Sequence, residues 1–225
     1  MDGNRGHLLP IYVLADESGS MVDDIGDLND GLRSLHQALL GEPMAAAKVR
    51  FSVLGFADDV AERVRMVDLR TAAELPQLYT RGMTSYATAF ADLAGRIPRD
   101  VAALKSEGYK VHRPAVFFLS DGAPNPDEDW RSVHRRLTDK ASTPAAPNII
   151  ACGIGEADAA TIAEVATQEE FGFVARQGVD VGAAIAKFCT SLTKSVIASG
   201  RSLNSADPQL VVDRPDGFTL AIEVI

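Results

Sequence analysis

Leu8–Ala15 (LLPIYVLA) runs straight into Asp16-Glu17-Ser18-Gly19-Ser20, and this junction decides the fold. The apolar run is short and unbroken, which fits a strand covered on both faces. It stops at a carboxylate, and two hydroxyls follow at spacing two. Working outward, Ile25, Leu28, Leu32, Leu35 and Leu39 fall at steps of 3 and 4. That is helical spacing, with Asp23 and Asp24 available as caps. Val49–Ala57 (VRFSVLGFA) reads as a strand. The Asp58-Asp59 turn and Val60–Leu69 predict an antiparallel return at a sheet edge.

The same alternation continues to the C-terminus. Ala87, Phe90, Ala94, Ile97, Val101 and Leu104 mark a helix in which Pro98 predicts a kink or a break into two. Pro114–Ser120 (PAVFFLS) and Asn148–Gly155 (NIIACGIG) are buried strands, and Phe171–Ala175 is a shorter one. Helices are expected around Trp130, Val133 and Leu137, around Ile162, Val165 and Ala166, and around Val181, Ile185, Phe188, Leu192 and Val196. The expected class is α/β: a doubly wound, mostly parallel, Rossmann-like sheet, helices on both faces and one antiparallel edge strand. One domain should cover residues 8–199. Residues 200–225 form a short extension, in which Gln209–Val212 and Phe218–Ile225 flank Arg-Pro-Asp-Gly as a possible β-hairpin, or add strands to the sheet edge.

Composition narrows the function. The chain has 225 residues, 22 Lys and Arg against 31 Asp and Glu, and a formal net charge of −9. A net acidic chain argues against nonspecific binding to nucleic acid or anionic lipid. Cys152 and Cys189 sit in apolar settings and read as buried free thiols. His7, His36, His112 and His134 show no ligand spacing, so a His-rich zinc site is not expected. The run Leu8–Ala15 lacks a signal-peptide cleavage pattern. No stretch reads as the roughly 18–20 apolar residues of a membrane span. The expectation is a cytoplasmic protein in a reducing compartment.

In parallel α/β sheets, ligands bind beyond the carboxyl ends of the strands. Asp16, Ser18 and Ser20 follow the first strand, Asp121 follows Pro114–Ser120, and Thr84 opens the second helix in Gly82-Met83-Thr84. Oxygen-only ligands suit a hard divalent cation such as Mg²⁺. Gly19 lets the backbone turn closely around it. The bland alternative makes Asp16 and Ser18 helix caps and Asp121-Gly122 a simple turn.

These residues resemble a von Willebrand factor A (vWA) domain with a metal-ion-dependent adhesion site (MIDAS). Asp16, Ser18 and Ser20 match in DESGS, Thr84 in GMT and Asp121 in LSDG. LPIYVLADESGSM (Leu9–Met21), RPAVFFLSDGAPNPDEDW (Arg113–Trp130) and ACGIG (Ala151–Gly155) look closest to TerY-like proteins of bacterial tellurium-resistance and chemical-stress operons. The resemblance implies Mg²⁺, with Mn²⁺ or Ca²⁺ as substitutes. Ser18 and Ser20 would hold it directly, and Thr84, Asp16 and Asp121 directly or through water. It also implies a protein partner that completes the ion's shell with an Asp or Glu, among them an operon-encoded kinase or metal-dependent phosphatase. The chain departs from the family pattern at Tyr86, which is expected to bring a phenol to the rim. Glu17 fills a variable position. With Asp23, Asp24, Asp58, Asp59, Asp127, Glu128 and Asp129 it is expected to crowd the metal face, mostly as solvated charge. Trp130 reads as a core anchor.

The rival reading is a haloacid-dehalogenase-type phosphotransferase, which also places an Asp after its first strand. Its acid–base Asp is expected two residues later, where this chain has Ser18. No Gly-x-Ser-x-Gly elbow and no phosphate-binding loop occurs. A vWA-like domain with a purely structural role is the third reading. A binding module, not an enzyme, is expected.

Overall fold

The computed structural model describes residues 5–72, 74–203 and 209–224. In chain order the regular elements are β1 (His7–Asp16), α1 (Ile25–Leu40), α2 (Pro43–Ala46), β2 (Val49–Phe56), β3 (Val60–Val67), α3 (Tyr86–Ser106), β4 (Lys110–Val111), β5 (Ala115–Ser120), α4 (Trp130–Thr138), β6 (Asn148–Gly153), α5 (Ala159–Val165), β7 (Gly172–Ala175), α6 (Val181–Ser202) and β8 (Phe218–Leu220). Among the described residues the strands form one sheet in the order β3-β2-β1-β5-β6-β7-β8, with β4 beside the start of β1. β1, β2, β5, β6 and β7 are parallel, and the expected antiparallel edge strand is β3. A second antiparallel strand, β8, closes the other edge.

The period of two along β1 splits the core. Leu9, Ile11, Val13 and Ala15 face α1 and α6. Tyr12 and Leu14 face the layer of α3, α4 and α5. Both sets are buried, so β1 needs apolar residues on both faces, as its unbroken sequence indicates. The chain leaves β1 towards β2 on one side, and β5 lies on the other. The strand order therefore reverses between β1 and β5, where a doubly wound sheet opens a crevice. Asp16 ends β1 and Ser120 ends β5, so both stand at that opening.

Four expectations need correction. First, α3 is one helix through Pro98 and not two. Ala94, Gly95 and Pro98 lie on its exposed side, so water can satisfy the carbonyl that the missing N–H would have bonded. Buried Phe90, Leu93, Ile97, Val101 and Leu104 hold the other side. Second, Asp24 stands at the N-cap of α1 but makes no side-chain cap bond.

Third, α6 is long and apolar enough, by length and composition alone, to cross a membrane. Here it packs on α1, α2 and β1 as a core helix, burying Ile185, Phe188, Leu192 and Val196.

Fourth, residues 209–217 contain no strand, and β8 pairs with β7 instead of forming a hairpin. Residues 204–208, part of the expected extension, lie outside the described residues. Serines four apart on α6 hold the tail. Val211 N–H donates to Ser199 Oγ at 2.9 Å, and Asp213 N–H donates to Ser195 Oγ at 2.9 Å. Ser191 Oγ donates to the Asp213 carbonyl. These bonds replace a hairpin ladder and carry the chain to β7. Ser195→Ala should cost about 1 kcal/mol, the worth of one buried hydrogen bond, and should speed proteolysis of the tail. Denaturant unfolding and limited proteolysis check this; an unchanged cleavage rate would remove the ladder's role.

Candidate metal centre

The site is built where β1 and β5 end side by side. Asp16 is fully buried and both carboxylate oxygens are engaged: Oδ1 accepts the Ser18 N–H at 2.8 Å, and Oδ2 accepts the Ser120 hydroxyl at 2.6 Å. Burial pushes the Asp16 carboxyl up to about 6. The turn beyond it carries Ser18 and Ser20 on one side, with Oγ atoms 3.0 Å apart. Ser20 Oγ donates to Asp121 Oδ1 at 2.8 Å. Burial also raises the Asp121 carboxyl, against the opposing hydrogen bond from Ser20.

Thr84 approaches from a third segment. Its Oγ1 would lie 3.8 Å from a Cβ placed on Gly122, so the hydroxyl faces the loop that follows Asp121. The Thr84 carbonyl accepts the Asn125 N–H at 3.0 Å, and the Ser85 N–H bonds Ala57 O at 3.1 Å. Gly82 bends the chain just before, with φ of 28°, and its carbonyl accepts the Gly19 N–H at 3.1 Å. The exposed Asp58 carboxylate lies where a Cβ would sit at Gly82, and the positive φ favours glycine there. All five expected residues thus converge on one mouth. Asp16, Ser18, Ser20 and Asp121 are joined by direct hydrogen bonds, and Thr84 stands beside them without one among the described residues.

Ser18 occupies the cap position of the short helical turn Gly19–Asp23 but makes no side-chain cap bond. Its hydroxyl turns to Ser20 instead, which removes the capping alternative for that residue. Octahedral ligands at about 2.0–2.1 Å stand about 2.8–3.0 Å from their neighbours. The Ser18–Ser20 and Ser20–Asp121 separations are those of ordinary hydrogen bonds and are also compatible with such edges. The donor set of hydroxyls and carboxylates fits a hard cation in its chemistry. Among the described residues no three His, Cys, Asp or Glu groups cluster as ligands.

Other side chains differ from expectation. Tyr86 is fully buried, not at the rim. Its ring packs edge-on against Phe56, Phe118 and Trp130, and its hydroxyl donates to Gly122 O at 3.0 Å. It thereby supports the Asp121 loop from beneath. Trp130 is a buried anchor, as read. Glu128 is not free loop charge; it accepts from Ser85 Oγ at 2.8 Å and Tyr86 N at 2.7 Å at the start of α3.

Glu17 is the largest departure. It is fully buried, turned away from the metal face, and paired with Arg63 and Arg81. Ser120 was missed altogether, although its place at the end of the strand beside β1 was the available signal. Burial, together with Asp180, Asp27, Asp23 and Asp121, raises the Asp24 carboxyl, so the surroundings of the mouth are acidic.

No family model matches the sequence, and no curated protein is similar to it. Solved structures share its fold. The pilus adhesin SpaC from Lactobacillus rhamnosus GG, in an open conformation, superposes with a TM-score of 0.65 at 13% identity, over 87% of this chain and 31% of that one. Proximal thread matrix protein 1 from the mussel byssus, with a zinc-occupied MIDAS motif, gives 0.58 at 16% identity, over 86% and 48%. The von Willebrand factor type A protein from Catenulispora acidiphila gives 0.50 at 15% identity, over 85% and 43%. The chain spans less than half the length of each. Its strand order and these superpositions give it the fold of a von Willebrand factor A domain.

Proposed function

We propose that this domain is a divalent-cation-dependent protein-interaction module. The observation that carries the reading is the joined set of Ser18, Ser20 and Asp121 oxygens at the mouth between β1 and β5. Ser18 and Ser20 would hold the ion directly, Asp121 and Thr84 directly or through water. Asp16, which also accepts the Ser18 N–H and the Ser120 hydroxyl, would likewise act directly or through water, and its charge would offset that of the ion. A cation held mainly by neutral hydroxyls offers a partner's carboxylate an open position. Mg²⁺ is the expected ion, and Mn²⁺ or Ca²⁺ are substitutes. The zinc-occupied motif of the mussel protein supports a divalent ion in this fold.

The phosphotransferase reading is disfavoured by the residue at position 18: Ser18 stands where a proton-transferring Asp is needed. Val22, in the helical turn that carries Ser20, and Met83, beside Thr84, are exposed at 60% and 62%. Together with the acidic surroundings, they favour a partner whose Asp or Glu is set among apolar and basic side chains. Resemblance to TerY-like proteins extends the proposal to a cytoplasmic signalling or scaffolding role in a bacterial tellurium-resistance or chemical-stress system. An operon-encoded kinase or metal-dependent phosphatase is the candidate partner.

Calorimetric titration with Mg²⁺ tests the core of this reading. The native chain should bind, and Ser18→Ala/Ser20→Ala should not, at an unchanged unfolding midpoint in chelator. Equal binding by both would place the ion elsewhere. Partner capture should need Mg²⁺ and weaken at high salt, where the Debye length falls to about 3 Å at 1 M.

A further inference from the structure

We infer that Glu17 is a positioning residue of this metal site, fixing the segment that carries Thr84 against the turn that carries Ser18 and Ser20. The inference rests on the metal-binding reading above. It starts from a carboxylate that has no reason to be buried unless its partners are specific. Glu17 lies between Asp16 and Ser18, so its side chain leaves the opposite side of the turn. Arg63 of β3 donates to it through Nε and Nη2, both at 2.8 Å, in a two-pronged pair. Arg81 Nε donates at 2.7 Å, and the Tyr79 N–H approaches at 3.4 Å. The backbone repeats the link: Arg81 N–H bonds Glu17 O at 2.5 Å, and Glu17 N–H bonds Phe56 O at 2.8 Å.

The segment it grips has no regular structure of its own. The described residues 74–85 contain neither helix nor strand, so their placement depends on side chains. Asn29 holds Leu78 by two bonds, its Nδ2 donating to Leu78 O at 2.9 Å and its Oδ1 accepting from Leu78 N at 2.8 Å. Glu17 takes Tyr79 and Arg81 just after it. The guanidinium of Arg63 lies 3.9 Å from the centre of the Tyr79 ring, which locks that ring to the same cluster. Arg81 also bonds Asp59 and Gly55 O. Thr84 follows three residues after Arg81, with the Gly19–Gly82 bond between them.

Buried ion clusters add little net stability, because desolvation offsets their attraction. What a two-pronged carboxylate adds is direction. Here it couples two segments whose hydroxyls must meet around one ion. Groups that orient metal ligands without touching the ion typically carry about 10–100-fold in affinity.

A double-mutant cycle on the full chain tests this, with Mn²⁺ affinity read by electron paramagnetic resonance and unfolding midpoints read in chelator. Glu17→Gln and Thr84→Ala should each weaken Mn²⁺ binding about tenfold. The double variant should be no weaker than Thr84→Ala alone, since placing an absent hydroxyl has no effect. Arg63→Lys keeps the charge and loses the two-pronged geometry, and should show the same coupling if Glu17→Gln does not fold. Losses that multiply in full, or wild-type affinity in Glu17→Gln and Arg63→Lys, would overturn the inference and leave the metal site standing. A native chain that binds no Mn²⁺ would overturn the metal reading itself.

Discussion

Asp16→Asn is expected to make the cation-free domain more stable at neutral pH while abolishing its response to Mg²⁺. The Asp16 carboxyl is fully buried and pushed up to about 6, against about 3.9 in an unfolded chain. The folded state therefore holds the proton more tightly than the unfolded state. Stability from this group is complete below about pH 4, falls between about pH 4 and 6, and stays reduced above that range. Two pH units correspond to on the order of 2–3 kcal/mol. Asparagine never ionises and avoids this loss. It also suits the site: Oδ1 can still accept the Ser18 N–H, and the Ser120 hydroxyl can turn its proton to Gly122 O, 3.3 Å away. A divalent cation at the mouth would offset the burial of the ionised carboxylate. Ligand at a hundredfold excess over Kd stabilises by about 2.7 kcal/mol. Native protein at pH 7.5 should thus gain stability on adding Mg²⁺, and the variant should gain none. Denaturant unfolding from pH 4 to 8, in chelator and in Mg²⁺, decides it. A variant less stable than the native chain in chelator at pH 7.5 would refute the account.

Much of this was legible because local pattern carries it. LLPIYVLA had to be a central strand, since both of its faces are apolar. The steps of 3 and 4 from Ile25 to Leu39 left one helical face to bury. The candidate site residues were legible as a group because they follow strands or precede a helix, and the topology gathers those ends. The failures share a cause: each depends on partners distant in sequence. Glu17 sits in a variable slot of its motif, and its partners lie 46 and 64 residues away. Nothing in the spacing of Ser191, Ser195 and Ser199 announces the tail that bonds to them. Pro98 misled because the rule against helical proline assumes an unsatisfied carbonyl, and that side of α3 meets water. One signal for Glu17 was available. Gly55 sits inside an otherwise well-filled strand, and a glycine there often marks the close approach of another group.

That glycine supports the sharpest stability prediction. A Cβ on Gly55 would lie within the Glu17 carboxylate. Glu17 is fully buried and gripped by two arginines whose side chains are 10% and 21% exposed, so it has nowhere to withdraw. Gly55→Ala should break the cluster and cost about 3–5 kcal/mol, the loss expected when a buried ion pair is disrupted. Glu17→Ala should cost a similar amount, about 3–5 kcal/mol, by leaving Arg63 and Arg81 without their shared acceptor. If the two losses were independent, their sum would approach the whole stability of a domain, about 5–15 kcal/mol, and the double variant would not fold. The geometry requires otherwise. Without the Glu17 side chain the three atoms nearest the added methyl are gone, and the methyl takes up part of the vacated space. Gly55→Ala/Glu17→Ala should therefore unfold at the same denaturant concentration as Glu17→Ala alone. Additive loss would mean that Gly55 is required for a reason other than room for the carboxylate, because a clash with Glu17 cannot persist once Glu17 is gone.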